Sequence, residues 1–484
     1  MSQSVIAIYD IGKTNKRLIL FDQQYRVIHE ESRIFREITD DDGDPAEDLQ
    51  RVSQWIKKSL KDIKKHDDLD IRAVNVSAYG ATLVHLDEKG LPATPLYNYL
   101  KPFPEDLLEK FYQQHGGKEA FSVQTSSPSL GMLNSGLQLY WLKHKKPECF
   151  ANIKRTLHLP QYFGYLLHKK TFSEMTSIGC HTGLWDFHND RSHEWVYEEK
   201  LTSLFPPIVP THSFKLVKSK LRSIRCGVGI HDSSAALVPY LMGFRQHFML
   251  LSTGTWNITL NPFNQEPLTT AELSRDCLNY MDYRAKPVKA SRVFLGNELA
   301  YQTRRLAAYY SKSEDYHQQV RPDKKMLIHL LQTDHTDEKK FYPQKMYGTG
   351  PLPNYSGPEN DLGHFGSYEE AYHQLMLDLV SIQVSSLKLA QGNTRPDKVF
   401  VTGGFGSNLL FLQLLATLYR DAHICISGLK EASAMGAAMV MHRHWNRENG
   451  IAHLFEKFKP VEPFIIPELN YYAEKVGPRA YHRA

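Results

Sequence analysis

Cysteine is scarce. The 484-residue chain has five, Cys149, Cys180, Cys226, Cys277 and Cys425, widely scattered and without a Cys-x-x-Cys pair. This argues against a disulfide framework and a cysteine-built zinc site, and reduced thiols in a cytoplasmic protein are expected. The 23 histidines fall at no zinc spacing either. Long apolar runs are missing: no stretch approaches the roughly 18–20 residues that cross a bilayer, so a transmembrane protein is not expected. Excess charge is small, 58 Lys+Arg against 53 Asp+Glu for a net +5. That argues against a nucleic-acid partner, whose basic surface is concentrated. Met1-Ser2-Gln3-Ser4 leads straight into an apolar run, with no basic segment to suggest a signal peptide. The two common nucleotide signatures, GxxxxGK[ST] and GxGxxG, do not occur.

What is present alternates. Between Val5 and Asp22 two apolar runs flank a polar turn containing Gly12 and read as a hairpin. Their near-continuous hydrophobicity predicts strands buried on both faces. Residues 46–64 read as a helix and 73–76 as a strand, and the alternation continues, giving an α/β class. A second apolar–turn–apolar unit at 248–260 surrounds Gly254 and hints at two similarly built halves. From Tyr368 to Leu389 apolar residues recur at helical spacing, with Ser367 and Glu370 as a capping box. A strand at 399–401 runs into Thr402-Gly403-Gly404-Phe405-Gly406-Ser407-Asn408, and a helix follows to about Tyr419. Residues 312–362 read as an irregular insertion, and the length implies two or more domains.

Three small-residue turns follow strands, at Gly12, at Gly254 and at Gly403 to Gly406. Such turns let backbone N–H groups approach phosphate oxygens, although most are only turns. Asp10 ends a buried strand, where it either caps the turn or holds Mg²⁺ through water. In Gly227-Val228-Gly229-Ile230-His231-Asp232-Ser233-Ser234, either Asp232 or Ser233 suits a helix N-cap, and Asp232 also suits a general base. The small-residue stretch 430–442 predicts a tightly packed helix. The basic run Lys215, Lys218, Lys220, Arg222 and Arg225 reads as a solvated face.

In their order, these features resemble the FGGY carbohydrate kinases of the sugar-kinase, Hsp70 and actin superfamily. The resemblance covers about 5–442: an Asp-x-Gly-x-Thr hairpin, His231-Asp232, Ser252-Thr253-Gly254-Thr255-Trp256, the Gly403-Gly404 turn, and the Glu-Ala-x-Ala-x-Gly-Ala-Ala helix. Leu159-Pro160-Gln161-Tyr162-Phe163 is most similar to the rhamnulokinase branch, and Gly12-Lys13-Thr14-Asn15 to the fuculokinase branch. The resemblance implies two RNase-H-like, actin-like ATPase domains around a central cleft. Residues 1–237 would bind sugar and 238–484 nucleotide. It implies ATP-dependent phosphorylation of a small ketose, a 6-deoxyketose such as L-rhamnulose or L-fuculose, with a pentulose as the alternative. An actin- or Hsp70-like ATPase without sugar activity is the rival class.

By the same resemblance, Asp232 is the catalytic base and Asp10 the Mg²⁺ ligand. Gly12, Lys13, Thr14, Asn15, Arg17, Gly254 and Thr255 would face the ATP phosphates, and Gly403, Gly404, Gly406 and Asn408 the adenosine. Gly80, Tyr79, His231 and Asn297 would contact the sugar. The chain departs from the family at Lys13, at Phe405, and at Tyr97-Asn98-Tyr99-Leu100-Lys101, where many members have Trp-x-Asp-x-Arg. Sugar and ATP are the expected partners, and a homodimer is left open.

Overall fold

The computed structural model describes residues 2–218, 223–332, 339–346, 350–351, 358–446, 451–456 and 458–469. The chain forms two compact units. The first comprises 1–245, 279–287 and 430–452, and the second 246–278, 288–429 and 453–484. The expected cut at 237/238 falls inside the helix Asp232–Gly243, and the first unit takes in two later segments.

The first unit is built on a mixed sheet. Its strands are β1 (Gln3–Ile11), β2 (Lys16–Phe21), β3 (Val27–Arg33), β4 (Leu69–Ala78), β5 (Phe214–Val217), β6 (Ile224–Gly227) and the short β7 (Ile230–His231). The order is β5-β6-β4-β1-β2-β3, with β7 paired to the end of β4. β1 and β2 form the expected hairpin, with Asp10 opposite Arg17. Val5 to Ile8 and Leu18 to Phe21 are fully buried, which the continuous apolar runs predicted. The helix Leu49–Ile63 covers one face. Asp48 caps it by accepting from the Arg51 N–H, and Val52, Ile56 and Leu60 pack on β1 and β2. Tyr9 ties the layers by donating its hydroxyl to the Ile56 carbonyl at 2.9 Å.

Register positions the site. β1 and β4 run parallel with Asp10 beside Ser77, and β7 runs parallel to β4 with His231 beside Ala78. The carboxyl ends of three parallel strands therefore deliver Asp10, Tyr79-Gly80 and His231-Asp232 to one edge. In open α/β sheets ligands bind at that edge. The small-residue helix Ala432–Met439 belongs to this unit: a Cβ on Gly436 would stand 1.8 Å from the Ala235 carbonyl oxygen, so only glycine permits this helix contact.

The second unit has its own sheet, with β8 (Phe248–Thr253), β9 (Asn257–Asn261), β10 (Pro287–Val293), β11 (Lys398–Gly403), β12 (His423–Ile426) and β13 (Lys459–Pro460) in the order β10-β9-β8-β11-β12-β13. β8 and β11 are parallel, with Thr253 beside Gly403, so the Gly254 and Gly404 turns emerge at one edge. The long helix Tyr368–Gln391 is buried on most of its faces and forms the core with Met249, Leu251, Val399 and Val401. Its start differs in detail from the expected capping box. Ser367 accepts from the Glu370 N–H at 3.1 Å, but Glu370 reaches past Ser367 to the Gly366 N–H at 2.8 Å. The expected irregular insertion contains a helix, Lys324–Gln332, because Leu327 and Leu330 are drawn into this core. Among the described residues no helix is long and apolar enough to cross a membrane.

Candidate active site

On the first unit, Asp232 opens the helix Asp232–Gly243. The N-cap is His231 rather than Asp232 or Ser233, so Asp232 occupies the first helical turn. Its Oδ1 accepts from the Ser233 N–H at 2.6 Å and stands 3.2 Å from His231 Nε2. Burial pushes the Asp232 carboxyl up to about 6, with the Ser233 bonds opposing. The side chain is nonetheless 34% exposed, so a substrate can reach it. His231 is buried, and burial pushes its imidazole down to about 4, leaving it neutral at pH 7. It stacks on Tyr280 at 5.8 Å, and its Nε2 lies 3.1 Å from Cys180 Sγ. The His231 backbone N–H donates to Thr176 Oγ1, whose hydroxyl donates to the buried Glu174.

Gly80 fits against this pair. A Cβ there would meet Cys180 Sγ at 2.8 Å and His231 Nε2 at 2.9 Å. Tyr79 is buried: its hydroxyl donates to Glu47 Oε2 at 2.5 Å, and Glu47 Oε1 pairs with Lys16 Nζ at 2.5 Å. Asp10 is raised by burial and by the nearby Asp232 charge, against the Arg17 guanidinium and a Ser77 hydrogen bond. Asp10, a buried carboxyl above its ordinary range and raised in part by the neighbouring Asp232 charge, is a donor that a divalent cation relieves, so it fits Mg²⁺.

The glycine turns behave differently. At the first, the Gly12 N–H bonds the Asn15 carbonyl at 2.9 Å, and Thr14 and Asn15 are exposed. Lys13 points to Glu37 at 2.9 Å. Arg17 is engaged by Asp10 at 2.7 Å and by Glu431 and Glu30. On the second unit Gly254, Thr255 and Gly404 line a cavity of about 720 Å³. Gly403 has φ +86°, and a Cβ there would stand 1.8 Å from the Thr253 carbonyl oxygen. Thr253 fixes the loop by donating to the Thr402 carbonyl and accepting from the Phe405 N–H. Arg304 and Arg321 line the same cavity, with Leu299 and Phe405 among its apolar walls. Its size suits a nucleotide, and two guanidinium groups suit phosphates.

Residues 5–207 match the N-terminal domain of the FGGY family of carbohydrate kinases, and residues 245–449 match the carbohydrate kinase FGGY C-terminal domain. The chain belongs to the FGGY family of carbohydrate kinases. The FGGY chain is 27% identical over 263 residues to a rhamnulokinase of Halalkalibacterium halodurans, covering 51% of this chain and 54% of that one. It is 24% identical over 300 residues to an L-fuculokinase of Salmonella typhi, covering 56% and 61%. It thus spans little more than half the length of these curated relatives. Its fold is similar to that of a carbohydrate kinase from Novosphingobium aromaticivorans, with TM-score 0.80, 23% identity and 98% of both chains covered. A xylulose kinase from Lactobacillus acidophilus gives TM-score 0.78 at 16% identity, covering 99% and 97%. The fold is the two-domain, actin-like ATPase fold expected of the family.

Several of the expected site residues have other partners within the FGGY chain. Arg17 is ion-paired with Asp10, Glu30 and Glu431. Asn408 lines the second-unit cavity, but its side chain caps the helix Leu409–Leu418 through the Phe411 N–H and donates to the Tyr372 hydroxyl. Gly406 is absent from the cavity lining. Asn297 lies in the second unit, in keeping with the resemblance, and donates to the Lys345 carbonyl at 3.1 Å. Where the family has Trp-x-Asp-x-Arg, Tyr97 packs edge-on against Trp141, and Lys101 enters a cage of Asp40, Asp42 and Asp44 at 2.6–2.9 Å. Sequence reading missed Lys16, Glu47, Glu174, Arg304 and Arg321. The Asp40-Asp41-Asp42-Gly43-Asp44 run was visible, but its lysine partner is about sixty residues away.

Proposed function

We propose that this chain is an ATP-dependent carbohydrate kinase that phosphorylates a small ketose, a 6-deoxyketose such as L-rhamnulose or L-fuculose. The observation that carries the reading is Asp232, a reachable carboxylate held near pKa 6 at the start of a helix, beside a neutral histidine. At pH 7 such a group is about nine-tenths ionised, yet a stronger base than an ordinary aspartate. The substrate class rests on the likeness to rhamnulokinase and L-fuculokinase.

The sugar would lie on the first unit against Gly80, with His231 beside it. ATP would occupy the second-unit cavity, its phosphates toward the Thr255 and Gly404 N–H groups and toward Arg304 and Arg321. Asp232 accepts the proton of the attacking sugar hydroxyl. That oxygen bonds the γ-phosphorus, and the bond from this phosphorus to the bridging oxygen breaks to release ADP. Phosphoryl transfer asks little of the protein beyond alignment and charge stabilisation. Mg²⁺ would supply charge neutralisation, held by Asp10 through water.

Coupled ADP release over a panel of ketoses, aldoses and sugar alcohols tests the reading. Preferred turnover with L-rhamnulose or L-fuculose is expected. Preference for xylulose or ribulose would move the substrate to the pentuloses, and ATP hydrolysis without sugar stimulation would overturn the kinase reading.

A further inference from the structure

A cavity of about 780 Å³ opens on the first unit, and none of its lining residues belongs to the sites assigned above. Its floor is apolar, with Met175, Met242 and Met439, and the exposed Ile208 also lines it. Met242 comes from the helix that Asp232 opens, and Met439 from the helix packed on it through Gly436. Its rim is basic, with His212, Arg284, Arg443 and His444. A smaller adjoining cavity of about 280 Å³ shares His212 and His444 and adds Lys215. Neither lining contains an aspartate or a glutamate. Arg284 is neutralised by Asp282, but Arg443 and Lys215 have no carboxylate partner among the described residues.

Arg443 and Lys215 therefore bring positive charge that no described carboxylate pairs with. The His212 and His444 rings stack at 6.0 Å. Burial pushes the His444 imidazole down, and His212, Arg225 and Arg443 push it further. Lys215 and Arg225 come from the basic run that reads as a solvated face in sequence. In the structure Lys215 lies over Phe172 and Arg225 over Phe214, so both present charge beside apolar surface. An apolar floor with flexible methionines accepts varied hydrocarbon shapes, and a volume of this size is that of a small-molecule site.

We propose that this cavity binds a soluble small organic anion, with an aryl or acyl body on the methionine floor and a carboxylate, sulfonate or phosphate at Arg443 and Lys215. The absence of any lining carboxylate selects the charge, and the floor selects against a bare inorganic ion.

The test uses the full chain and the fluorescent anion 8-anilinonaphthalene-1-sulfonate, with uncharged N-phenyl-1-naphthylamine as control. One saturable site is expected for the anion, retained in saturating MgATP. The combined variant Arg443→Gln, Lys215→Gln should raise its Kd about tenfold or more, the scale of losing charge-assisted bonds. Both side chains are exposed, so thermal melting should be unchanged. The neutral analogue should bind at least about tenfold more weakly than the anion in the unaltered chain. Equal binding of the neutral probe, an unchanged Kd in the variant, or displacement by ATP would overturn the proposal. So would co-sedimentation with phosphatidylglycerol vesicles in the absence of saturable binding of the soluble anion.

Discussion

Replacing Gly80 with alanine perturbs the proposed base without touching it. The added Cβ would lie 2.8 Å from Cys180 Sγ and 2.9 Å from His231 Nε2. Ordinary carbon contacts at such atoms are about 3.5 Å, so one or both side chains must move by about 0.6 Å. Cys180 can rotate. His231 is restrained by its stack on Tyr280 and by its backbone bond to Thr176, and its Nε2 is the atom 3.2 Å from the Asp232 carboxylate. Overpacking of this kind costs about 1–3 kcal/mol of stability. Misplacing a reacting group by about 1 Å can cost about 10²-fold in rate, so a loss of about 10-fold to 10²-fold in kcat/KM for the sugar is expected. ATP affinity should change less than twofold, since Gly80 is absent from the second-unit cavity lining. Steady-state kinetics at saturating ATP, with a melting curve, reads both effects. Cys180→Ala in the same chain should restore part of the stability by vacating one of the two contacts. Gly80→Ala with full sugar turnover and unchanged melting would refute the crowding argument.

Other perturbations separate the parts. As Asp232 titrates near 6, kcat/KM for the sugar should fall about tenfold per pH unit below that value, and a flat profile down to pH 5 would contradict a base there. The raised pKa also has a stability consequence. Ionising Asp232 costs the folded state, so stability drops as pH rises from the unfolded value near 4 through about 6, and Asp232→Asn should melt higher than the parent at pH 7–8 but not below pH 4. Lys101→Met should destabilise the first unit by about 3–5 kcal/mol, because Lys101 and Asp40 are buried partners. Burial alone would raise Asp40, yet Lys101 and two N–H groups hold it below its usual value. The Lys101→Met deficit should therefore be full at neutral pH and shrink as pH falls below about 4. Arg304→Gln and Arg321→Gln should each weaken ATP binding by about tenfold, read by calorimetry, with the sugar KM little changed.

Much of this fold is legible in sequence where the physics is local. The β1–β2 and β8–β9 hairpins show as paired apolar runs around small turns, and the helix Tyr368–Gln391 shows through its spacing and Ser367. The edge that gathers Asp10, Gly80 and Asp232 is not legible in spacing, because it depends on β4 and β7 pairing in parallel across about 150 residues. The same holds for membership of 430–452 in the first unit, which rests on Gly436 meeting Ala235. Charged residues were the hardest. Arg17 carries the same charge whether it meets phosphate or Asp10, and only the hairpin register and the left-handed Glu431, at φ +55°, decide. Lys101 likewise reads as a lost arginine until the Asp40 to Asp44 loop closes around it. Arg304 lies on a regular helix and Arg321 in polar sequence, and neither carries a local sign that it faces a cavity.

The central claim is that Asp232 removes a proton from a sugar hydroxyl while ATP binds elsewhere on the chain. Asp232→Asn, assayed for ketose-dependent ADP release and for ATP affinity, tests it directly. The account predicts turnover lower by about 10²–10⁴-fold with ATP affinity within twofold of the parent. Turnover near that of the parent would contradict it.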